Sequence, residues 1–472
     1  MASTQVVTTR GAPGAPRDAE LAALRESLRG ECFQPGDAGY DGARAVWNAM
    51  IDRHPAMVAR CAGVADVIRA VTFAREQDLV VSVRGGGHNV AGTAVCDEGL
   101  VIDLSRMKGI RVDPGRRRVR AEAGALWGEV DHETQAFGLA APGGFVSTTG
   151  IAGLTLGGGM AWLMRSCGLS CDNLISADVV TADGQLVKAS ATENDDLLWG
   201  LRGGGGNFGV VTSFEFRLHP VGPVVMGGVL VHPVERAGEV LAFFRDFTQT
   251  APDELTTALV LDLSPEGEPI AAIACCYNGP PEQGADVLQP LREFGPPVAD
   301  LIGPMPYTQL QRMLDARYAA GSRNYWKSGF LRGLDDVAVR TLVDGYQARP
   351  SPLCHILIEH LGGAVRRADR HATAFDHRDH DYNFTALAQW MEPADDDACM
   401  RWARDLWRDM RPSLAGGVYV NYMSDPGDGR EGRVGVAYTP ETYERLAALK
   451  AKHDPTNLFR MNHNIRPAAP TG

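Results

Sequence analysis

Apolar residues recur at helical spacing over positions 65–77, and an unbroken apolar run at 79–83 follows at once. The pattern predicts a helix feeding a buried strand. A second strand, at 100–104, leads into 110–123, where Asp113-Pro114-Gly115 marks a turn. Residues 125–137 return to helical spacing. A further hairpin spans 177–181 and 185–189 about Asp183-Gly184, and a helix at 195–201 precedes a strand at 210–218. Hairpins mixed with helices predict α+β layers rather than a repeating βαβ sheet. From 221 to 415 the texture changes. Apolar stretches at 258–263, 270–277 and 354–361 predict an antiparallel sheet, with helices at 236–249 and 400–410 covering one face. Residues 438–467 turn back to helix and end in an irregular, Asn-rich tail. The change of pattern divides the chain into a disordered leader at 1–20, a first domain at 21–220, a second at 221–420 and a closing segment at 421–472.

A chain of 472 residues exceeds one ordinary core, which agrees with two domains. Its net charge of −12 argues against nonspecific binding to nucleic acid or anionic membrane. No apolar run reaches the roughly 18–20 residues of a membrane span. Residues 1–19 are polar, without the apolar core of a secretion signal, so a cytoplasmic location is expected. The nine cysteines have no framework spacing; Cys167 and Cys171 lack a second pair or a nearby histidine to complete a metal site. Free thiols in a reducing compartment are expected. The basic run 116–118 reads as a solvated hairpin.

The candidate chemistry begins at Arg84-Gly85-Gly86-Gly87-His88-Asn89, directly after a predicted strand. Three consecutive glycines offer bare backbone N–H groups that a large anionic ligand can approach closely. The imidazole that follows is placed to react with it. A second glycine cluster occupies 148–159 and a third runs from 203 to 206 and on to Asn207-Phe208-Gly209. Gly204, Gly206 and Gly209 satisfy G-x-G-x-x-G, but a helix precedes them and a strand follows. That is the reverse of the dinucleotide-fold fingerprint. Three clusters within about 125 residues point instead to a long phosphate-bearing cofactor laid across several loops.

These motifs resemble the berberine-bridge-enzyme-like FAD-linked oxidases, in the superfamily of p-cresol methylhydroxylase and vanillyl-alcohol oxidase. The resemblance covers residues 45–467. It rests on the RGGGH loop, the TTGIAGLTLGGG segment, Cys167-Gly168-Leu169 before Asp172-Asn173, LRGGGGNFGVVTSFEF, Asp454-Pro455-Thr456-Asn457-Leu458-Phe459-Arg460 and Asn462-His463-Asn464-Ile465. Within the family the chain is most similar to bacterial natural-product members, such as the enterocin-pathway Favorskii-type flavoenzyme and 6-hydroxynicotine oxidases.

The resemblance implies an FAD-binding first domain of the p-cresol-methylhydroxylase type, a substrate domain with an antiparallel sheet, and a closing segment that returns to the FAD domain. It implies FAD bonded through His88 to the flavin 8α-methyl. The family's second link, from a cysteine, falls here on Val146, so a single attachment is expected. Arg84, Gly85, Gly86, Gly87, His88, Asn89 and Val90, with Val146, Thr148, Thr149 and Gly150, are expected around the pyrophosphate and ring. Gly153, Leu154 and Gly159 continue the second cluster, and Thr149 and Leu154 would flank the oxygen-access side. Gly209, Val210 and Val211 resemble the adenine-binding strand, and Asn462 and Asn464 would reach the ring or its ribityl chain.

Tyr419-Val420-Asn421-Tyr422 resembles the strand that carries the family's active-site tyrosine or glutamate. Strand alternation sets Tyr422 on the face opposite Asn421 and Tyr419, and Tyr422 is expected as base or substrate anchor. Glu359 and His360 lie in an apolar strand, where a charge needs a reason. Tyr325, Lys327, Asn383 and Trp390 are further substrate candidates. His371, His377 and His380 surround Arg378 and Asp379, which suggests an exposed loop and no metal. The expected activity is hydride transfer from a small organic alcohol or amine to flavin N5, with molecular oxygen as acceptor. A flavin oxygenase tailoring a polyketide, and a non-catalytic flavin- or drug-binding protein, are the alternatives. The sequence does not specify oligomeric state.

Overall fold

The computed structural model describes residues 18–424 and 434–469. Of the expected leader, residues 1–17 lie outside the described residues. Residues 18–20 are not leader, because they open the helix Asp18–Ser27.

The predicted first helix is Val64–Glu76, which buries Val67, Ala70, Val71 and Ala74 on one face. It packs on a four-stranded sheet ordered Glu31–Phe33, Met57–Arg60, Leu100–Asp103, Val81–Arg84. The last three strands of that order are mutually parallel, so the first domain contains a small βαβ unit as well as hairpins. The predicted hairpins form a second, five-stranded antiparallel sheet: Ile110–Asp113, Arg118–Glu122, Val210–Arg217, Leu174–Val180, Leu186–Ser190. One continuous apolar core joins both sheets.

The second half is built on an antiparallel sheet ordered Ala299–Asp300, Val224–Pro233, Pro269–Tyr277, Leu255–Leu263, His355–His360, Tyr382–Trp390, Arg323–Leu331, with Gly303–Pro306 beside the second strand. Helices Ala237–Thr248, Asp336–Gln347 and Asp396–Asp409 bury their apolar stripes on one face. The α+β expectation therefore holds. The other face of the sheet is free of these helices and looks toward the first domain.

The tail helix Pro440–His453 starts on a Thr439 side chain that caps Thr442 N–H. Leu446 and Leu449 then approach Gly204 and Gly200, where a β-carbon would collide with them. The segment expected to be an exposed loop is different. Arg378 is buried and ion-paired to Asp172 at 2.6 Å, and His377 is tucked against Phe330 and Gly417. A charged sequence hid this anchoring pair, which joins positions 206 residues apart. No described helix is long and apolar enough to cross a membrane.

Candidate functional site

Between the first domain and the uncovered sheet face lies a cavity of about 320 Å³. Three glycine-bearing loops form one wall. The strand Val81–Arg84 ends in the first, and Gly86 packs so tightly on Gly150 that a β-carbon on either would sit within 2.7 Å of the other's backbone. Only glycine fits both positions. Gly205, Gly206, Asn207 and Gly209 bring in the third loop, and Phe459, Met461, Asn462 and His463 close that side from the tail.

His88 stands at the edge of this wall. Its ring stacks on Trp47 with centroids 4.5 Å apart, and its Nε2 is buried with no hydrogen-bond partner among the described residues. Burial lowers its pKa to about 4, so the imidazole is neutral and nucleophilic near pH 7. On the same wall Asn462 Oδ1 and His463 Nε2, and just behind it Asn464 Oδ1, are also buried and have no partner among the described residues. Buried polar atoms without partners are costly, and several gathered at one wall mark a place built for a polar ligand.

The opposite wall is the sheet. Alternation along Leu255–Leu263 and His355–His360 turns Ala258, Val260 and Asp262, and Leu357 and Glu359, into the cavity. Glu359 accepts from the Tyr422 hydroxyl at 2.7 Å and from Asn383 Nδ2 at 2.7 Å. Burial raises its pKa to about 7, against the lowering effect of those two donors. Tyr422 is not on a strand, contrary to expectation. Val420–Tyr422 is a single 3₁₀ turn, which brings Tyr419, Asn421 and Tyr422 all to the same cavity instead of dividing them between two faces. Tyr419 is held by Gly159 N–H at 2.9 Å and Met160 N–H at 3.2 Å, while Asn421 Nδ2 donates to Tyr419 Oη at 2.8 Å. Trp326 packs edge-on to both Trp47 and Tyr422.

A glycine cradle, an unpartnered imidazole and a buried acid–phenol pair fit a flavin nucleotide. The relatives agree. A family model described as an FAD binding domain matches residues 55–190, and one described as berberine and berberine like matches 418–466. An FAD-linked oxidoreductase of Dictyostelium discoideum is 35% identical over 94% of this chain and 96% of its own. The chain belongs to the berberine-bridge-like FAD-linked oxidoreductases. The (R)-6-hydroxynicotine oxidase of Paenarthrobacter nicotinovorans is 30% identical over 93% of this chain and 97% of its own. The crystal structure of 6-hydroxy-D-nicotine oxidase from Arthrobacter nicotinovorans superposes with a TM-score of 0.86, at 28% identity, over 94% of this chain and 99% of that one.

In this FAD-linked oxidoreductase, most of the residues expected at the cofactor do meet at the cavity: Gly85, Gly86, Gly87, His88, Asn89, Val146, Thr149, Gly150, Gly153, Leu154, Gly209, Val211 and Asn462. Six lie outside its lining. Arg84 donates to Ala43 O at 2.6 Å, Thr148 is exposed, and Val210 points into the core, opposite to Val211. Val90 packs with Trp47 and Trp326, Gly159 serves Tyr419 from behind, and Asn464 sits just past the lining stretch.

Among the substrate candidates the sheet makes a sharp division. Glu359 lines the cavity and Asn383 backs it. His360, Tyr325, Lys327 and Trp390 are corrected to the helix-covered face. There His360 accepts from Arg165 at 3.0 Å, Tyr325 accepts from Arg404 at 3.0 Å, Lys327 lies over the Tyr325 ring, and Trp390 donates to Asp396 at 2.7 Å. Trp326, Tyr318 and Arg317 reach the cavity without having been expected. For Trp326 the signal was present: it sits between Tyr325 and Lys327, and the alternating strand turns it the other way.

Proposed function

We propose that this chain is an FAD-dependent oxidase, its flavin held by a single histidyl link through His88, that oxidises a small organic alcohol or amine with molecular oxygen as acceptor. The observation that carries the reading is the neutral His88 imidazole, its Nε2 buried with no partner among the described residues, in the lining of the same cavity as the Tyr422–Glu359 pair. Val146 lines the cavity, and no cysteine does so among the described residues, which supports a single attachment. Bound FAD supplies the hydride acceptor.

The protein's own part is proton management and placement. The Tyr422 hydroxyl receives the proton of the substrate's O–H or N–H and hands its own to Glu359 Oε1 across 2.7 Å. Asn383 fixes the other carboxylate oxygen, and the Tyr419 contacts hold the turn that carries Tyr422. Trp326, Trp162 and Phe145 wall the cavity with aromatic surface that excludes water. A relative named for 6-hydroxynicotine favours a ring-bearing substrate, and the aromatic walls support that choice over a sugar, although chitooligosaccharide oxidase shares the fold at a TM-score of 0.84.

The test is intact-mass analysis of acid-precipitated holoprotein. A yellow precipitate heavier by one FAD, lost in His88→Ala, is the expected result. A colourless precipitate, or flavin on any cysteine, overturns the single histidyl tether. Anaerobic bleaching of the flavin by alcohols or amines tests turnover, and labelled oxygen appearing in the product would favour the oxygenase alternative.

A further inference from the structure

Strand His355–His360 puts a second titratable side chain on the cavity face. His355 and Glu359 share that face with Leu357 between them, about 13 Å apart along the backbone at four strand residues. Each is bonded to a tyrosine hydroxyl: Glu359 to Tyr422 at 2.7 Å, and His355 Nε2 to Tyr318 at 2.9 Å. Both tyrosines line the cavity and pack on the same Trp47–Trp326–Leu387 cluster. Only the first pair has a role in the chemistry proposed above. The second is equally built. Trp47 Nε1 donates to Tyr318 O at 2.7 Å, and Arg317 reaches His355 Nδ1 at 2.8 Å.

The charge in this second group is already neutralised. Arg317 grips Asp262 through Nε at 2.8 Å and Nη2 at 2.9 Å, and also donates to Leu353 O and Gln389 Oε1. Its guanidinium is therefore engaged and has little left for a substrate carboxylate. Burial and then Arg317 lower the His355 pKa to about 4, so the imidazole is neutral. Beside this internally paired Arg317 and Asp262, the lining residue left to offer a hydrogen bond is the phenol of Tyr318, with one bond to His355 and capacity for another.

Resting on the function proposed above, we infer that Tyr318, oriented by His355, is a specificity-determining contact for a neutral, ring-bearing substrate with a second hydrogen-bonding group across the ring from its reacting alcohol or amine. Tyr422 takes the reacting end and Tyr318 takes the far end, with the ring between Leu357 and the aromatic walls. His355 is a positioning residue and touches no substrate.

The test is a binding titration of holoprotein, read from flavin difference spectra, with benzyl alcohol, 4-hydroxybenzyl alcohol and 4-(hydroxymethyl)benzoate. Wild type is expected to bind the 4-hydroxy compound about tenfold tighter than benzyl alcohol, the worth of one good hydrogen bond. Tyr318→Phe should bring that ratio to about one while the flavin spectrum and melting temperature persist, and His355→Ala should reduce it too. A merely structural Tyr318 would weaken both alcohols alike. A wild-type ratio near one, no spectral response to 4-hydroxybenzyl alcohol, a ratio kept in Tyr318→Phe, or tightest binding of the benzoate each overturns the inference. None of these readouts requires turnover or a covalent flavin, so failure here is separable from failure of the oxidase reading.

Discussion

Glu359 is a carboxylic acid with no exposure, in the middle of an apolar strand, and its two oxygens accept from Tyr422 and Asn383. Burial alone would keep it neutral; the two donors bring its pKa back to about 7. It can therefore accept a proton from Tyr422 only when ionised, and the rate of flavin reduction is expected to rise with pH through about 7 and then level off. Glu359→Gln should remove that inflection, and Tyr422→Phe should slow anaerobic flavin reduction by about 10²-fold. Stopped-flow reduction between pH 5 and 9 checks both. Stability has the opposite sign. The folded pKa lies above the ordinary 4.5, so this group's contribution is fully present below 4.5 and is lost as pH rises through about 7. At this scale the sequence was legible where a residue violated its surroundings: Glu359 and His88 both stood out. It was not legible where the question was direction. Tyr325, Lys327, His360 and Trp390 have the right chemistry on the wrong face, because period-two alternation leaves open which half of a strand faces the site.

The elements were readable wherever one face alone was buried, as in Val64–Glu76 and the hairpin about Asp183-Gly184. Val420–Tyr422 was misread because a three-residue turn has no periodicity to detect. Arg165, on the short helix Met164–Cys167, was not anticipated at all. Its guanidinium is buried and donates to Leu255 O at 2.8 Å, Ala251 O at 3.0 Å, Leu361 O and His360 Nε2. One side chain thus ties the short helix Met164–Cys167 to the ends of several elements of the large antiparallel sheet. Arg165→Ala strands those acceptors and is expected to cost about 3 kcal/mol, measured as the shift in urea midpoint. Nothing in the local pattern marks such a residue, since all of its partners but one are backbone carbonyls at least 86 positions away.

At the level of the whole molecule, the cavity depends on chain segments from both ends. Lys450 and Asp454 have no exposure and meet at 2.6 Å, and Lys450 Nζ also donates to Asn207 O at 2.7 Å and Phe459 O at 2.9 Å. This buried pair fastens the tail helix to the third glycine loop. Lys450→Met would leave the Asp454 charge unpaired in the interior, so a loss of about 3–5 kcal/mol is expected, together with faster flavin release when it is combined with His88→Ala. Thermal melts with and without added FAD check this. The change in texture near residue 220 was legible, and it falls where the chain leaves Val210–Arg217 of the five-stranded sheet for Val224–Pro233 of the large antiparallel one, but the closure by the tail was expected only by resemblance, because contacts such as Asn207 with His463, 256 positions apart, leave no trace in local spacing.

That closure has a consequence for how the protein matures. The chamber's wall runs from Val81 to His463, and Phe459, Met461, Asn462 and His463 are among its lining. The nucleotide pocket is therefore incomplete until the stretch through His463 has packed against the third glycine loop, where Asn207 Nδ2 donates to His463 O at 3.2 Å, and acquisition of FAD has to follow that docking.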